Sequence, residues 1–299
     1  VEPPTLSGDE VDARLLDGKK LHVAQAEFVA YAMRRFALPA DPSGARPGML
    51  LADGTGAGKG RALAATIANA VAAHPEAPWA RRHVWVSVNP VLFEDAKRDW
   101  RAVGGKEMTG LDLIRTPMSL DYKTPIPRID GVMFVTYGFL RSKAPSGKRS
   151  KFQTRVDQIV HWLTQGGKIK CESVVALDEV HLAKNLVPSS GTKPSQTGKA
   201  VDELQTRLPN ARVVYASATF ASKFQQLGVY KRLGLWGVGT TFADFANFQK
   251  RLSRLGQPVL ELLACQLKRD GSLLARTLSY DGCEFDRIDL EWTPDQIAL

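Results

Sequence analysis

The sequence has only three cysteines in 299 residues, Cys171, Cys265 and Cys283, odd in number and far apart. They make neither a disulfide framework nor a metal-ligand spacing, which points to a reducing compartment. Acid is also scarce: 31 Asp and Glu stand against 40 Lys and Arg, a formal net charge of +9. That excess suits an anionic partner, and equally a generally basic surface. Long apolar runs are missing. The most apolar helical stretch, ALAATIANAVAA at 62–73, is too short and too polar to cross a bilayer, and no secretory leader is visible. No membrane partner is therefore expected. The expected setting is intracellular, cytoplasmic in a bacterium or phage and nuclear in a eukaryote. Internal repeats and long low-complexity tracts are absent. The chain opens on Val1 without methionine and closes on a helix start at Thr293-Pro294 with no room to continue. It is therefore expected to be a piece of a longer protein.

What is present is an alternation. Short runs rich in Val and aromatics, MLLA (49–52), HVWVSV (83–88), VMFVTY (132–137), SVVAL (173–177) and ARVVYAS (211–217), read as buried strands. Helical stretches at 60–73, 91–103, 152–164 and 199–207 lie between them. This pattern predicts an α/β fold built on a doubly wound, mainly parallel sheet. Residues 1–20 read as an extended lead-in and 21–239 as the sheet-bearing lobe. From Thr240 two helices are expected, followed by two strands joined at Asp281-Gly282, so 240–299 reads as a helical and β-hairpin extension.

Ligands of such sheets bind beyond the carboxyl ends of the strands. The first motif there is LADGTGAGKGR, whose candidate phosphate loop comprises Gly54, Thr55, Gly56, Ala57, Gly58, Lys59, Gly60 and Arg61. Glycines turn backbone N–H groups toward phosphate oxygens, the helix end adds its dipole, and Lys59 supplies a point charge. A Ser or Thr normally follows the lysine and binds magnesium through its hydroxyl. Gly60 has none. A water is expected in the hydroxyl's place, with Asp178 as the principal protein anchor for the metal. The bare backbone of Gly60 is expected to let another element approach closely.

The second motif, VVALDEVH at 174–181, puts Asp178 and Glu179 at the mouth of a buried strand. Acids there are costly unless paired or bound to a cation. Asp178 is assigned to magnesium, and Glu179 to orienting and deprotonating an attacking water. Either motif alone would pass for an ordinary strand end. Both together, in this order and two strands apart, point to a nucleotide site. The third is YASATF, with Ser217 and Thr219 placed to bond to the acidic motif and report its state.

Phosphate loop, Asp-Glu-Val-His box and Ser-Ala-Thr in this order resemble the first RecA-like lobe of a superfamily 2 helicase or translocase of the DExH-box type. The runs ADGTGAGKGR, LDEVHLAKN, TGKAVDELQTRLPNARVVYASAT, RLGLWGVGTTF and ARTLSYDGCEF resemble the strawberry notch family over roughly residues 20–292. Gly-Lys-Gly-Arg is shared with that family, whereas Phe220 stands where relatives tend to have Gly. The resemblance implies an ATP-binding motor lobe that uses ATP and magnesium, acts on DNA or RNA, and works with a second RecA-like lobe in the parent chain. That second lobe, with its arginine finger, is not legible in these residues. The resemblance further implies that Lys59, Asp178 and Glu179 are catalytic and that His181, Ser217 and Thr219 couple nucleotide state to nucleic-acid grip. Gln25 matches a glutamine that reads adenine, and Asn89, Thr136 and Tyr137 fall where such lobes touch the nucleic-acid backbone. Lys148 and Arg149, in the basic stretch 141–155, are further candidates for phosphate contact. The alternative is a regulatory scaffold that keeps a motor-like lobe for protein contacts in transcription.

Overall fold

The computed structural model describes residues 4–117, 120–146, 150–187, 193–221 and 223–276. Their strands are β1 (Met49–Leu51), β2 (Arg82–Ser87), β3 (Leu113–Arg115), β4 (Gly131–Thr136), β5 (Val174–Leu177), β6 (Arg212–Ala216) and β7 (Leu273–Leu274). They form one sheet in the order β3-β4-β2-β5-β6-β1-β7, every pair parallel. The helices are α1 (Ala13–Leu16), α2 (Val23–Ala37), α3 (Lys59–Ala72), α4 (Leu92–Ala102), α5 (Gly105–Thr109), α6 (Tyr137–Leu140), α7 (Arg155–Leu163), α8 (Gln196–Arg207), α9 (Phe245–Leu252) and α10 (Pro258–Arg269). The doubly wound α/β fold expected from the alternation is the one observed.

The continuous apolar runs of the strands follow from burial on both sides. Val84, Val86, Val175 and Leu177 face one core with residues of α7 and α8. Trp85, Val174, Ala176 and Val214 face the other, under α2, α3 and α4. The Ala-rich α3 is buried along most of its length, since small side chains let the neighbouring helices close over it.

Three places depart from the sequence reading. The lead-in is not simply extended: Asp12 caps α1, Leu15 is wholly buried, and Asn69 of α3 bonds both Asp12 N (2.7 Å) and Glu10 O (2.9 Å). The short edge strand β3 gives too few residues for a periodic signal. The expected hairpin does not begin where Ser272 suggested. Instead β7 joins the main sheet, with Leu50 N and Ala52 N donating to Ser272 O and Leu274 O at 2.9 and 2.7 Å. The turn expected at Asp281-Gly282, Cys283 and the helix start at Thr293 lie outside the described residues.

Candidate nucleotide-binding site

The loop after β1 turns on Gly56 (φ 85°) and on Gly58 (φ 73°), which stands at the amino end of α3. Both lie in the left-handed region that glycine adopts without strain. Lys59 opens the helix and folds back, its Nζ donating to Asp53 O and Gly54 O at 3.1 Å each. Among the described residues no carboxylate pairs with it, so its charge is available for an anionic acceptor. Gln25 donates from Nε2 to Gly58 O (3.2 Å) while its Oε1 accepts from His22 N (2.9 Å). A Cβ on Gly58 would collide with that amide.

Gly60 has a steric reason of its own. A Cβ there would collide with the Asp99 carboxylate on α4 and stand 3.9 Å from Trp85 Cζ2. The close approach expected at Gly60 is therefore made by Asp99. Burial raises the Asp99 carboxyl, while Arg98 and Arg61 pull it the other way.

The acidic box extends β5. Asp178 N donates to Val86 O (2.8 Å), continuing the ladder with β2. Its Oδ2 accepts from Ser87 Oγ and its Oδ1 from Glu179 N, both at 3.0 Å, and its backbone carbonyl accepts from Tyr137 Oη at 2.8 Å. Burial pushes the Asp178 carboxyl up to about 6, with Glu179 adding to the rise; Ser87 and Lys59 act against it. Glu179 holds a left-handed backbone at φ 47°, ψ 44°. A non-glycine residue in that region is strained by about 1–3 kcal/mol, and such strain tends to gather at functional sites.

Glu179 Oε2 is buried and accepts no hydrogen bond among the described residues, although His181 Nδ1 lies 3.2 Å away. The imidazole is aligned instead with Ser217 Oγ, also at 3.2 Å. Ser217 is fully buried, and its N–H donates to Leu51 O at 3.0 Å. A continuous path thus runs from the acidic box on β5, across the end of β6, to the strand that feeds the phosphate loop. Thr219 joins it through its backbone N–H, which donates to Ser217 Oγ at 3.4 Å. Phe220 stacks on Tyr230, ring centroids 6.2 Å apart.

The fold therefore gathers Lys59, Asp178, Glu179, His181 and Ser217 at the carboxyl ends of neighbouring strands. Thr55 is exposed on the loop, and Arg61 is half-buried at the start of α3. Tyr137 requires correction: it is buried, and its hydroxyl supports Asp178 from within, so it presents no surface to a nucleic-acid backbone. Asn89 is exposed, with Oδ1 accepting from Val91 N (3.0 Å) and Leu92 N (3.3 Å) at the start of α4. Thr136 caps α6 through Phe139 N at 3.1 Å. Lys148 and Arg149 lie outside the described residues.

Arg155 and Lys151 of the basic stretch are engaged elsewhere. Arg155 stacks on Tyr122 at 3.9 Å and bonds Leu120 O and Asp121 O. Lys151 lines a cleft of about 330 Å³ with Arg82, Arg128, His161 and Lys168, at the amino-terminal end of the strands and away from the motifs. Sequence reasoning passed over Ser87, Asp99, and the pair Asp53 and Arg276, which are 223 positions apart. No local pattern marks such partners.

Residues 1–299 match the family described as P-loop containing NTP hydrolase pore-1. The chain belongs to this family. It is 36% identical over 294 residues to Protein FORGETTER 1 of Arabidopsis thaliana, covering 97% of this chain and 21% of that protein. It is 37% identical over 279 residues to Protein strawberry notch homolog 1 of Gallus gallus (92% and 21%) and of Homo sapiens (92% and 19%). The chain thus spans about a fifth of these relatives' length, and the resemblance to strawberry notch proteins is borne out. Among solved structures it is similar to the DUF1998 helicase MrfA bound to DNA, at 13% identity and TM-score 0.49 over 77% of this chain and 30% of that one. It is also similar to Saccharomyces cerevisiae Dbp5 L327V bound to RNA and ADP BeF3, at 20% identity and TM-score 0.41 over 73% and 47%. Among the described residues, no helix is long and apolar enough to cross a membrane.

Proposed function

We propose that this chain is the ATP-binding first motor lobe of a nucleic-acid-dependent ATPase of the strawberry notch type. One observation carries the reading: Lys59 on the β1 loop and Asp178 and Glu179 after β5 converge, and the buried Glu179 Oε2 has no donor. In this reading Lys59 exchanges the carbonyls of Asp53 and Gly54 for phosphate oxygens. Glu179 takes a proton from the attacking water at Oε2, a buried oxygen without a hydrogen-bond donor among the described residues.

The acidic box also suits magnesium. Asp178 is a buried acid whose carboxyl is already raised to about 6, so a cation beside it relieves an existing cost. No group of three or more His, Cys, Asp or Glu stands together among the described residues. That fits a metal held by one carboxylate, waters and the nucleotide itself. The ion would supply neutralisation of phosphate charge. Gln25 keeps a second amide hydrogen for adenine, and His181 with Ser217 conveys the state of the acidic box to β1. Asn89 and Thr136, beyond β2 and β4, are the proposed edge for DNA or RNA. The length of the relatives leaves ample chain for a second lobe that closes the cleft.

Titration of a labelled ATP analogue tests the site. Lys59→Ala should weaken binding by on the order of 2–3 kcal/mol, the worth of a charge-assisted grip on phosphate. Equal affinities for the two proteins would remove Lys59 from the site and the reading with it.

A further inference from the structure

Arg276, just beyond β7, is engaged by acids on two other elements. Its N–H donates to Asp53 Oδ1 at 2.9 Å, its Nε to both Asp53 oxygens at 3.2 Å, and its Nη2 to Asp53 Oδ2 at 2.6 Å. Its Nη1 donates to Glu27 Oε2, also at 2.6 Å. Asp53 is only 5% exposed and stands between β1 and Gly54. Its backbone carbonyl is one of the two that hold the Lys59 ammonium. Glu27 lies on α2, two residues from Gln25, whose amide holds Gly58 O. One guanidinium therefore holds the start of the phosphate loop directly and its far end through α2.

We propose that Arg276 is a positioning residue for the phosphate loop, a role that rests on the nucleotide reading above. A buried carboxylate left without its cation must either protonate or move toward water. If Asp53 moves, the carbonyls of Asp53 and Gly54 move with it, and Lys59 loses its resting place. Arginine is needed because a planar fork serves Asp53 and Glu27 at once, which a single ammonium does not. The coupling is reciprocal: whatever tightens the loop around an anion also tightens its hold on Arg276.

Two measurements on the same protein test this: hydrogen exchange of the amides of residues 54–58, and titration with a labelled ATP analogue. In Arg276→Gln the loop amides should exchange faster while those of β2 and β5 keep their protection. Nucleotide affinity should fall by roughly two- to thirtyfold, the range for a residue acting through another. Adding Asp53→Asn should recover part of the loss, because the uncompensated charge is gone. Arg276→Lys should fall between wild type and Arg276→Gln. If Arg276→Gln unfolds, Glu27→Gln, which removes only the α2 arm, should shift both readouts in the same direction by less.

Wild-type exchange of the loop in these variants would overturn the role. So would wild-type affinity in variants of a protein whose binding depends on Lys59. A wild-type protein that binds no nucleotide would sink the functional reading, while loop exchange would still decide whether the clamp holds the loop.

Discussion

The carboxylate of Asp99 fills the space that a Cβ on Gly60 would need, so that no side chain fits at Gly60 while Asp99 keeps its position. In an open helix, Gly→Ala gains about 1 kcal/mol from propensity. Here Gly60→Ala should instead destabilise the protein, because a desolvated carboxylate has to swing away. In an Asp99→Ala background the sign should invert, with Gly60→Ala stabilising by about 0.5–1 kcal/mol. Urea denaturation of the four proteins of this cycle measures it. The same negative sign in both backgrounds would mean that something other than Asp99 excludes the side chain.

Asp178 should leave a pH signature. Its carboxyl is raised from 3.8 to about 6 in the folded protein, so the native state holds this proton more tightly than the unfolded chain does. The favourable contribution is complete below about pH 4 and is lost as pH rises through about 6. Asp178→Asn should therefore exceed wild type in stability at pH 8 by on the order of 2 kcal/mol. The gap should close toward pH 4. Unfolding titrations of both proteins across this range would show it. A gap that widened toward acid would mean that Asp178 carries a depressed carboxyl instead.

Tyr137→Phe removes the donor to the Asp178 carbonyl and leaves that oxygen without its partner in the core. A stability loss of about 1–3 kcal/mol is expected. Because the acidic box is then less firmly held, magnesium-dependent nucleotide binding should weaken as well. Thermal unfolding alongside nucleotide titration separates the two effects. A fall in stability with no change in magnesium dependence would confine Tyr137 to packing.

The isolated chain should hydrolyse ATP slowly, with little stimulation by DNA or RNA. Arginine fingers contributed by a facing element supply about 10³–10⁵ in related phosphoryl transfers, and the proposed reading assigns that element to a second lobe of the parent chain. Steady-state phosphate release with and without each nucleic acid is the assay. Robust stimulated turnover by the monomer would show that the lobe needs no counterpart.

Local chemistry carried much of this protein's reading. The five strands read from the sequence are present because a run such as Val84-Trp85-Val86, buried on both faces of the sheet, is apolar at every position. The motif residues were legible because glycine at a left-handed turn, a lysine at a helix start and acids at a strand end each declare their setting. Contacts between distant segments were not legible. Nothing near position 60 announces that Asp99 will fill its side-chain space, and nothing near Tyr137 says that its hydroxyl turns inward to Asp178. Likewise Leu273–Leu274 reads locally as the opening of a hairpin, yet it pairs with β1 because that strand would otherwise end the sheet with unpaired donors. That pairing sets Arg276 against Asp53, 223 residues away in the chain. The sequence by itself determined which residues carry the phosphate and acid chemistry, since each such residue depends on its immediate neighbours. Tertiary structure alone decided which side chains hold that chemistry in place, since burial, steric exclusion and charge pairing are properties of segments brought together.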